Sequence, residues 1–260
     1  MRLISLHNKE EIERRLRRNT FLHLYSIGDL DDFFWEYTTW YAAAEQDEPP
    51  VLLYSGGDLP VLLALSDEPF NGSRELLQLV SPLLPRRFYA HLSEGLIDVL
   101  SDEYKIDLHG AHYKMGLIKP ELLDKFDASE AIQLQKSDVD ELETLYKVSY
   151  PGNWFDARML ETGYYYGIRR EGKLISAAGL HVYSPVYKAA ALGNITTHPR
   201  WRGQGLGTRV SARLCRELLQ TVEHIGLNVK ADNRAAIASY KKLGFEKIAS
   251  YQECSLEAKC

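Results

Sequence analysis

The chain has 260 residues, of which 45% are apolar and 26% charged, and its formal net charge at pH 7 is −5. This composition excludes a disordered chain, and the length is enough for one or two domains with a substantial core. The acidic balance argues against a protein that binds nucleic acid over its whole surface. The three cysteines, Cys215, Cys254 and Cys260, lack the short spacings of a zinc or redox site, which favours a reducing compartment.

The beginning of the chain, Met1 to Glu10, soon becomes charged and lacks the apolar segment of a secretory signal. No stretch approaches the roughly 20 apolar residues that cross a bilayer. We therefore expect a soluble cytoplasmic protein with no membrane partner.

The polar, proline-containing segment from Lys119 to Glu130 divides the sequence near its middle. Such segments are typical of domain boundaries. We predict an N-terminal α/β domain over residues 1–125 and a second domain over residues 126–260.

In the first domain the apolar spacing predicts helices and one hairpin, and no catalytic motif is apparent. His109 and His112 are three residues apart, but no third ligand lies nearby in sequence, so we interpret them as ordinary histidines rather than a metal site. The predicted elements are a helix over Glu10–Arg18 with Ile12 and Leu16 on one face, a hairpin of Val51–Tyr54 and Leu59–Leu65, and helices over Ser73–Leu84 and Ser93–Leu100.

The second domain has a more regular pattern. A strand over Ile132–Leu134 precedes Ser137–Asp140, which has the layout of a capping box for a helix through Leu142, Leu145 and Val148. Turn signals then separate a meander of three strands, after which the order is loop, helix, strand, helix. The predicted meander strands are Tyr164–Arg169, Leu174–Tyr183 and Lys188–Thr197.

The most informative segment is the glycine-rich loop from Thr197 to Thr208. It precedes a helix whose apolar stripe recurs every four residues, at Leu206, Val210, Leu214, Leu218 and Val222. Gly203, Gly205 and Gly207 therefore lie at a helix N-terminus, where unpaired N–H groups and the helix dipole attract an anion. A phosphate or pyrophosphate is the natural occupant.

The local charge supports an anion site. From Gly172 to Arg216 the sequence has no Asp or Glu, and it has seven basic residues: Lys173, Lys188, Arg200, Arg202, Arg209, Arg213 and Arg216. The alternative is a helix start with glycines for tight packing and arginines in solvent. The glycine spacing fits neither the dinucleotide fingerprint nor a P-loop, because the third glycine position of the former and the Gly-Lys-Ser/Thr ending of the latter are missing.

Arg202-x-x-Gly205-x-Gly207, between a strand and an amphipathic helix, resembles the pyrophosphate loop of the GNAT superfamily of N-acetyltransferases. A second string, from Leu227 through Asn233, Ala236 and Tyr240 to Gly244-Phe245, is similar to the closing motif of that family. The resemblance extends from Ala131 to about Glu253. It implies an α/β fold with a mixed, mostly antiparallel sheet flanked by helices. The first half is compatible with a degenerate copy, as in the tandem, glycine N-acyltransferase-like branch.

The resemblance also implies roles for individual residues. The backbone of Ile195, Thr196 and Thr197 is expected to pair with the pantetheine amides of the acyl-CoA. Arg202 is expected to add positive charge at the phosphates, and Asn233 caps the helix that carries Tyr240. Tyr240 corresponds to the general acid that protonates the leaving thiolate of CoA. The N–H groups of Gly203, Gln204, Gly205, Leu206, Gly207 and Thr208 are expected to hold the pyrophosphate.

The general base stays unassigned, because this strand has no carboxylate where many family members carry a Glu. The candidates are ordered water and the side chains of His181, Asp156, Glu161 and Glu253. For the acceptor pocket we expect the aromatic segments Tyr150–Phe155 and Tyr164–Tyr166, although such residues are equally at home in a core.

The predicted function is an N-acetyltransferase that transfers the acetyl group of acetyl-CoA to a small-molecule or peptide amine by direct attack in a ternary complex, without a metal. The alternatives are a non-catalytic acyl-CoA-binding regulatory module, an N-acyltransferase that uses a longer acyl-CoA, and a nucleic-acid binder that uses the arginines. We expect a monomer or homodimer with no nucleic-acid partner.

Overall fold

The computed structural model describes residues 1–44, 46–67 and 71–259. The strands are β1 (Leu3–Leu6), β2 (Thr38–Ala43), β3 (Val51–Tyr54), β4 (Val61–Ala64), β5 (Arg87–Leu92), β6 (Tyr104–Leu117), β7 (Ile132–Gln133), β8 (Tyr166–Arg170), β9 (Lys173–Ser184), β10 (Ala189–Thr197), β11 (His224–Lys230) and β12 (Phe245–Ala258). The α-helices are α1 (Lys9–Leu16), α2 (Leu24–Gly28), α3 (Asp32–Trp35), α4 (Asn71–Val80), α5 (Val139–Ser149), α6 (Leu206–Leu218) and α7 (Arg234–Lys242).

Packing divides the chain into two compact units that are interleaved in sequence. The first unit comprises Met1–Lys114, Val229–Asp232 and the chain from Ile248 onward, and the second comprises Met115–Asn228 and Asn233–Lys247. These units differ from a simple division at residue 125, because β12 pairs with β5 and so returns to the first unit. Residues 1–125 and 126–260 as separate domains stay a prediction.

The first unit is a mostly antiparallel sheet in the order β1-β2-β3-β4-β5-β12-β6. Its parallel pair is β4 with β5, joined through α4. The core lies between α4 and the sheet, because the apolar stripe of the helix meets inward-facing strand residues. That core includes Leu62, Leu76, Leu77, Val80, Phe88 and Leu256, all nearly or fully buried.

The second unit has the order β11-β10-β9-β8-β7. Strands β7 to β10 are antiparallel, whereas β10 and β11 are parallel and are connected by α6. Helices α5 and α6 pack on β9 and β10. The mixed, mostly antiparallel sheet with flanking helices confirms the predicted fold class, and the predicted apolar stripe of α6 is buried, at Leu206, Val210, Leu214 and Leu218.

Several elements differ from the sequence predictions in detail. Residues Lys136–Asp138 form a short 3-10 turn, so the capping box joins Gln135 to Asp138 rather than starting at Ser137. The predicted helix after it is α5, but Val148 is exposed at its end. The segment Ser93–Leu100 is likewise a 3-10 helix over Glu94–Leu100. The strands β1, β2, β5, β6 and β12 were not predicted from the sequence.

Candidate functional site

Strands β10 and β11 pair and then part. Their parallel register runs from Ala189 opposite His224 to Leu192 opposite Leu227 and ends there. Strand β10 continues for five more residues, from Gly193 to Thr197. Crevices at the carboxyl ends of parallel strands are common ligand sites in α/β proteins. The segment Ile195–Thr197, predicted to pair with a cofactor, lies beyond the point where the pairing ends.

A β-bulge shapes β10 at this point. Asn194 has a positive φ of 54°, and the register with β9 jumps between Gly193 and Thr196. Neighbouring side chains hold the bulge in place. The Tyr146 hydroxyl donates to the Asn194 carbonyl at 3.2 Å. The Asn194 amide nitrogen donates to the Tyr165 hydroxyl at 3.1 Å. Asn194 is buried, and these contacts fix the kink in the backbone of β10. Bulges are common next to active sites, where they redirect side chains.

The two threonines after the bulge are tied to β9 by their own polar atoms. Ser176 donates through Oγ to the Thr196 carbonyl at 3.1 Å, and its Oγ lies 2.9 Å from Thr197 Oγ1. These bonds fix the strand end on the β9 side. The role of Ile195, Thr196 and Thr197 as a backbone edge for the cofactor stays a prediction.

The glycine-rich loop has the backbone that the anion hypothesis needs. Gly203 and Gly205 have φ values of 78° and 73°, a region that L side chains rarely adopt, and nothing lies within 4 Å of where their Cβ atoms would be. Gly205 is the N-cap of α6, and no side chain caps the helix. The first intrahelical bond is from Arg209 N to Gly205 O, at 3.0 Å. The N–H groups of the first turn, Leu206 to Thr208, therefore open toward the space above the loop.

The arginines near this loop divide into two groups. Two arginines on α6 form ion pairs with acidic residues outside the basic segment 172–216. Arg209 contacts Glu130 at 2.5 Å, and Arg213 contacts Glu217 at 3.0 Å. Arg202 is exposed and donates to the carbonyls of Thr197 and Ser149 at 3.1 and 2.9 Å. Arg202 thus braces the loop against the end of β10 while its guanidinium stays at the surface.

The closing motif forms the predicted strand, cap and helix. The Asn233 side-chain oxygen accepts from Ala236 N at 3.1 Å, as a helix N-cap. Tyr240 lies on α7, beside α6, and its ring meets Phe245 edge-on at 5.9 Å. Burial of the phenol, with smaller effects of Tyr150 and Cys215, raises the pKa of Tyr240 above its ordinary value. The hydroxyl therefore keeps its proton at neutral pH.

The candidate bases differ in their surroundings. Asp156 is paired with Arg158 at 2.7 Å and caps a 3-10 turn, and Glu161 is paired with Lys136 at 2.7 Å. His181 is half-buried on β9, with its ring 5.8 Å from that of Trp154.

The fourth candidate, Glu253, belongs to the first unit, where it accepts from the hydroxyls of Tyr89 and Tyr251 at 2.5 Å each. Its carboxylate also lies 3.6 Å from His91 and 3.4 Å from His112. His91, His112 and the two tyrosine hydroxyls hold the pKa of Glu253 below its ordinary value against the effect of burial. Glu253 is thus engaged in a polar cluster of the first unit.

The predicted acceptor aromatics fall into three sets. The half-buried Phe155 packs against the fully buried Tyr165, whereas Tyr150 and Trp154 are 47% and 48% exposed. Tyr164 and Tyr166 line a separate pocket of about 610 Å³ beside α6. Of the aromatic segments proposed from the sequence, only Tyr150 and Trp154 present large exposed rings.

The parted strands, the bulge and the uncapped glycine loop occur in a segment that matches a known family. Residues 130–245 match the model of the acetyltransferase (GNAT) family. Residues 130–245 are a GNAT acetyltransferase domain. The protein is accordingly an acyl-CoA-dependent acyltransferase, which transfers an acyl group from acyl-CoA to an acceptor.

Solved structures share the fold over most or all of the chain. A GNAT-family protein from Novosphingobium aromaticivorans is 19% identical, with 91% of this chain and 97% of that chain covered and a TM-score of 0.63. A Drosophila protein is 14% identical, with 98% of both chains covered and a TM-score of 0.73. A tandem GNAT protein from the clavulanic acid biosynthesis pathway is also 14% identical, with 100% and 99% covered and a TM-score of 0.55. No curated protein matches the chain in sequence.

Three further observations concern the described residues only. Within them, no group of three or more His, Cys, Asp or Glu side chains is placed to hold a metal ion. His109, predicted to be an ordinary histidine, contacts Ser255 Oγ at 2.8 Å. In the same part of the chain, no helix of the acyltransferase is long and apolar enough to cross a membrane.

Proposed function

We propose that the second unit is an N-acetyltransferase that binds acetyl-CoA between the end of β10 and the start of α6. The observation that carries the proposal is the parting of β10 from β11 after Leu192, followed by the glycine-rich loop and the uncapped N-terminus of α6. A parted strand offers unpaired backbone N–H and C=O groups to the amides of pantetheine, and the helix start offers N–H groups to the pyrophosphate. Gly203 and Gly205 leave the approach to those groups open.

The proposed reaction is a direct transfer within a ternary complex. The acceptor amine attacks the thioester carbonyl, the carbon–nitrogen bond forms, and the carbon–sulfur bond breaks. Backbone N–H groups at the β10 bulge stabilise the oxyanion. The nitrogen loses one proton to solvent, and Tyr240 gives its proton to the departing thiolate and takes one back from solvent. Bringing acceptor and thioester together in one site supplies much of the rate enhancement.

Calorimetric titration and amine-dependent release of CoA together test this function. We expect one acetyl-CoA bound per chain, tighter than longer acyl-CoAs, and CoA release that requires an amine. Binding without release across a broad panel of small and peptide amines would leave a regulatory acyl-CoA module instead. Tighter binding and faster turnover of a longer acyl-CoA would correct the donor but retain the transfer chemistry.

A further inference from the structure

His181 is displaced from the regular ladder of β9. In the antiparallel pairing of β9 with β10, Ala191 lies opposite Val182, and the next pair is Leu192 with Leu180. His181 is therefore the extra residue of a bulge. The bulge occurs at Leu192, the last residue of β10 that pairs with β11. Bulges turn a side chain out of the alternating pattern of a strand and are over-represented next to active sites.

The imidazole of His181 lies over Gly193. A Cβ on Gly193 would be 2.2 Å from His181 Cδ2 and 2.4 Å from Nε2, closer than any real contact. The ring therefore occupies the space that a side chain at 193 would fill, and only glycine permits this. The next residue is Asn194, the kink at which β10 leaves its regular register. His181 is thus held against the backbone where the proposed thioester carbonyl binds.

Trp154 flanks the same imidazole. Its indole lies 5.8 Å from the His181 ring at 41°, and nearly half of its surface is exposed. A large exposed aromatic side chain beside a reactive position suits an acceptor with an apolar body.

Other ionisable groups near this position are engaged elsewhere. From the segment that carries Trp154, Asp156 is paired with Arg158. From β8, the Tyr165 hydroxyl donates to the Leu180 carbonyl at 3.1 Å and accepts from Asn194. Burial raises the pKa of Tyr165 to about 12, so this phenol is a poor proton acceptor at neutral pH. Asp156 and Tyr165 are therefore committed to other contacts.

We infer that His181 is the group that takes the proton from the acceptor, an amine whose apolar body packs on Trp154. This inference rests on the proposed N-acetyltransferase function. An alkylammonium first gives one proton to the imidazole, and the neutral nitrogen then attacks the thioester carbon. When the carbon–sulfur bond breaks, the thiolate takes the proton of Tyr240, and the second proton lost from nitrogen restores that hydroxyl through solvent. The imidazolium returns its proton to water, so one proton is released per transfer.

The test compares two acceptors in the full-length enzyme. At pH 7 the amine of 2-phenylethylamine is protonated, whereas that of aniline is already neutral. We expect His181→Gln to lower kcat/KM for 2-phenylethylamine by about 100-fold or more, and to lower it clearly less for aniline. The acidic limb of the wild-type pH profile with 2-phenylethylamine should disappear in the variant. His224→Gln, on β11, is the matched control and should retain the wild-type profile.

Acetyl-CoA binding, measured by calorimetry, separates this inference from the proposed function. His181→Gln should bind acetyl-CoA as the wild type does. Equal losses for both amines, or an unchanged acidic limb, would overturn the role of His181. A wild-type enzyme that acetylates other amines but neither probe would overturn the inference and leave the proposed function intact. An enzyme that does not bind acetyl-CoA would overturn the proposed function itself.

Discussion

The two units share an order of connections but differ at the corresponding parallel strand pair. In each, three antiparallel strands lead through a helix to a strand that pairs in parallel with the third: β4 with β5, and β10 with β11. In the first unit the pair stays closed to its end, because Ser66 N donates to Ser93 Oγ at 3.0 Å and Ser93 Oγ donates to the Ser66 carbonyl at 3.1 Å. In the second unit the pair opens after Leu192.

The connections that follow the two strands differ as well. After β10 the loop has glycines at 203, 205 and 207, and its helix start is uncapped. After β4 the sequence has Asp67 and Glu68, and its one glycine before the body of α4 is Gly72. Acidic residues disfavour an anion such as pyrophosphate, whereas the glycine-rich loop after β10 is proposed to bind one. The two units thus share a connectivity, and the bulge and the glycines distinguish the second unit, in which we propose the ligand site.

The largest expected effect is on catalysis, in Tyr240→Phe. If the second unit alone carries the chemistry, this variant loses about 100-fold or more in kcat and binds acetyl-CoA normally. Burial raises the pKa of Tyr240, so its protonated form persists to higher pH, and the wild-type rate should not fall through loss of this proton below about pH 10. The pH dependence of kcat measures both effects.

Tyr104→Phe is the matched control for that experiment. Tyr104 belongs to the first unit, where its hydroxyl donates to the Leu84 carbonyl at 3.3 Å. This variant should lose some stability but retain wild-type activity. A Tyr240→Phe enzyme with wild-type kcat would contradict the role of this tyrosine as the acid.

A smaller effect is expected from Gly205→Ala. The backbone at this position has φ of 73°, so a Cβ costs about 1–2 kcal/mol and projects into the space above the loop. We expect at least about tenfold weaker acetyl-CoA binding in calorimetry. Gly172→Ala, at φ of 74° with equally open surroundings in a turn, introduces the same strain away from the loop. Equal affinity of the two variants for acetyl-CoA would contradict the assignment of the glycine-rich loop to pyrophosphate binding.

The third prediction concerns a buried charge of the first unit. Lys114 is 2% exposed, and its ammonium lies over the rings of Tyr25 and Tyr251, at 4.7 and 5.0 Å. Burial lowers the pKa of Lys114 to about 7, against the opposing effects of Glu253 and Asp29. Between pH 7 and the ordinary lysine value the unfolded chain binds more protons at this group, so the contribution of Lys114 to the free energy of unfolding should rise with pH. Burial raises the pKa of Asp29 to about 8, and this group acts in the opposite direction below that pH.

Urea unfolding between pH 8 and 10 measures the contribution of Lys114 as the difference between the wild type and Lys114→Met. This difference is needed because burial also raises the pKa values of the Cys215 and Cys254 thiols, which act in the opposite direction over this range in both proteins. Relative to Lys114→Met, the free energy of unfolding of the wild type should rise by up to about 1.4 kcal/mol per pH unit. Lys105→Met, at an exposed position of the same strand, should show the wild-type dependence on pH. A wild type whose pH dependence matches that of Lys114→Met would show that the ammonium is stabilised in the fold.

The smallest effect is expected from Ser93→Ala, which removes the bonds that close the first strand pair. The loss should be about 1 kcal/mol in the free energy of unfolding, because the buried Ser66 N–H loses its acceptor. The stoichiometry of acetyl-CoA should stay at one per chain. Ser101→Ala, which removes an exposed bond to the Asp98 carbonyl, is the control. Two bound acetyl-CoA molecules in Ser93→Ala would break the comparison between the units.

Sequence reasoning was strongest where the information is local. The stripe from Leu206 to Leu218, the glycine loop and the Asn233 cap are periodic or depend on neighbours in sequence, and all three occur in the structure. The seven basic residues between Gly172 and Arg216 were weaker evidence for an anion site. Two of them, arginines on α6, contact Glu130 and Glu217, and Glu130 is far away in the sequence.

The sequence was enough to predict the fold of the second half and the position of the glycine-rich loop, because helix periodicity and left-handed glycines act over a few residues. Tertiary structure decided the rest. The last strand, β12, joins the first unit because it pairs with β5, and no local sequence pattern predicts a pairing partner so distant in the sequence. The bulge at His181 likewise depends on the register between two strands, and register is set by the packing of whole faces. That register places an imidazole over Gly193.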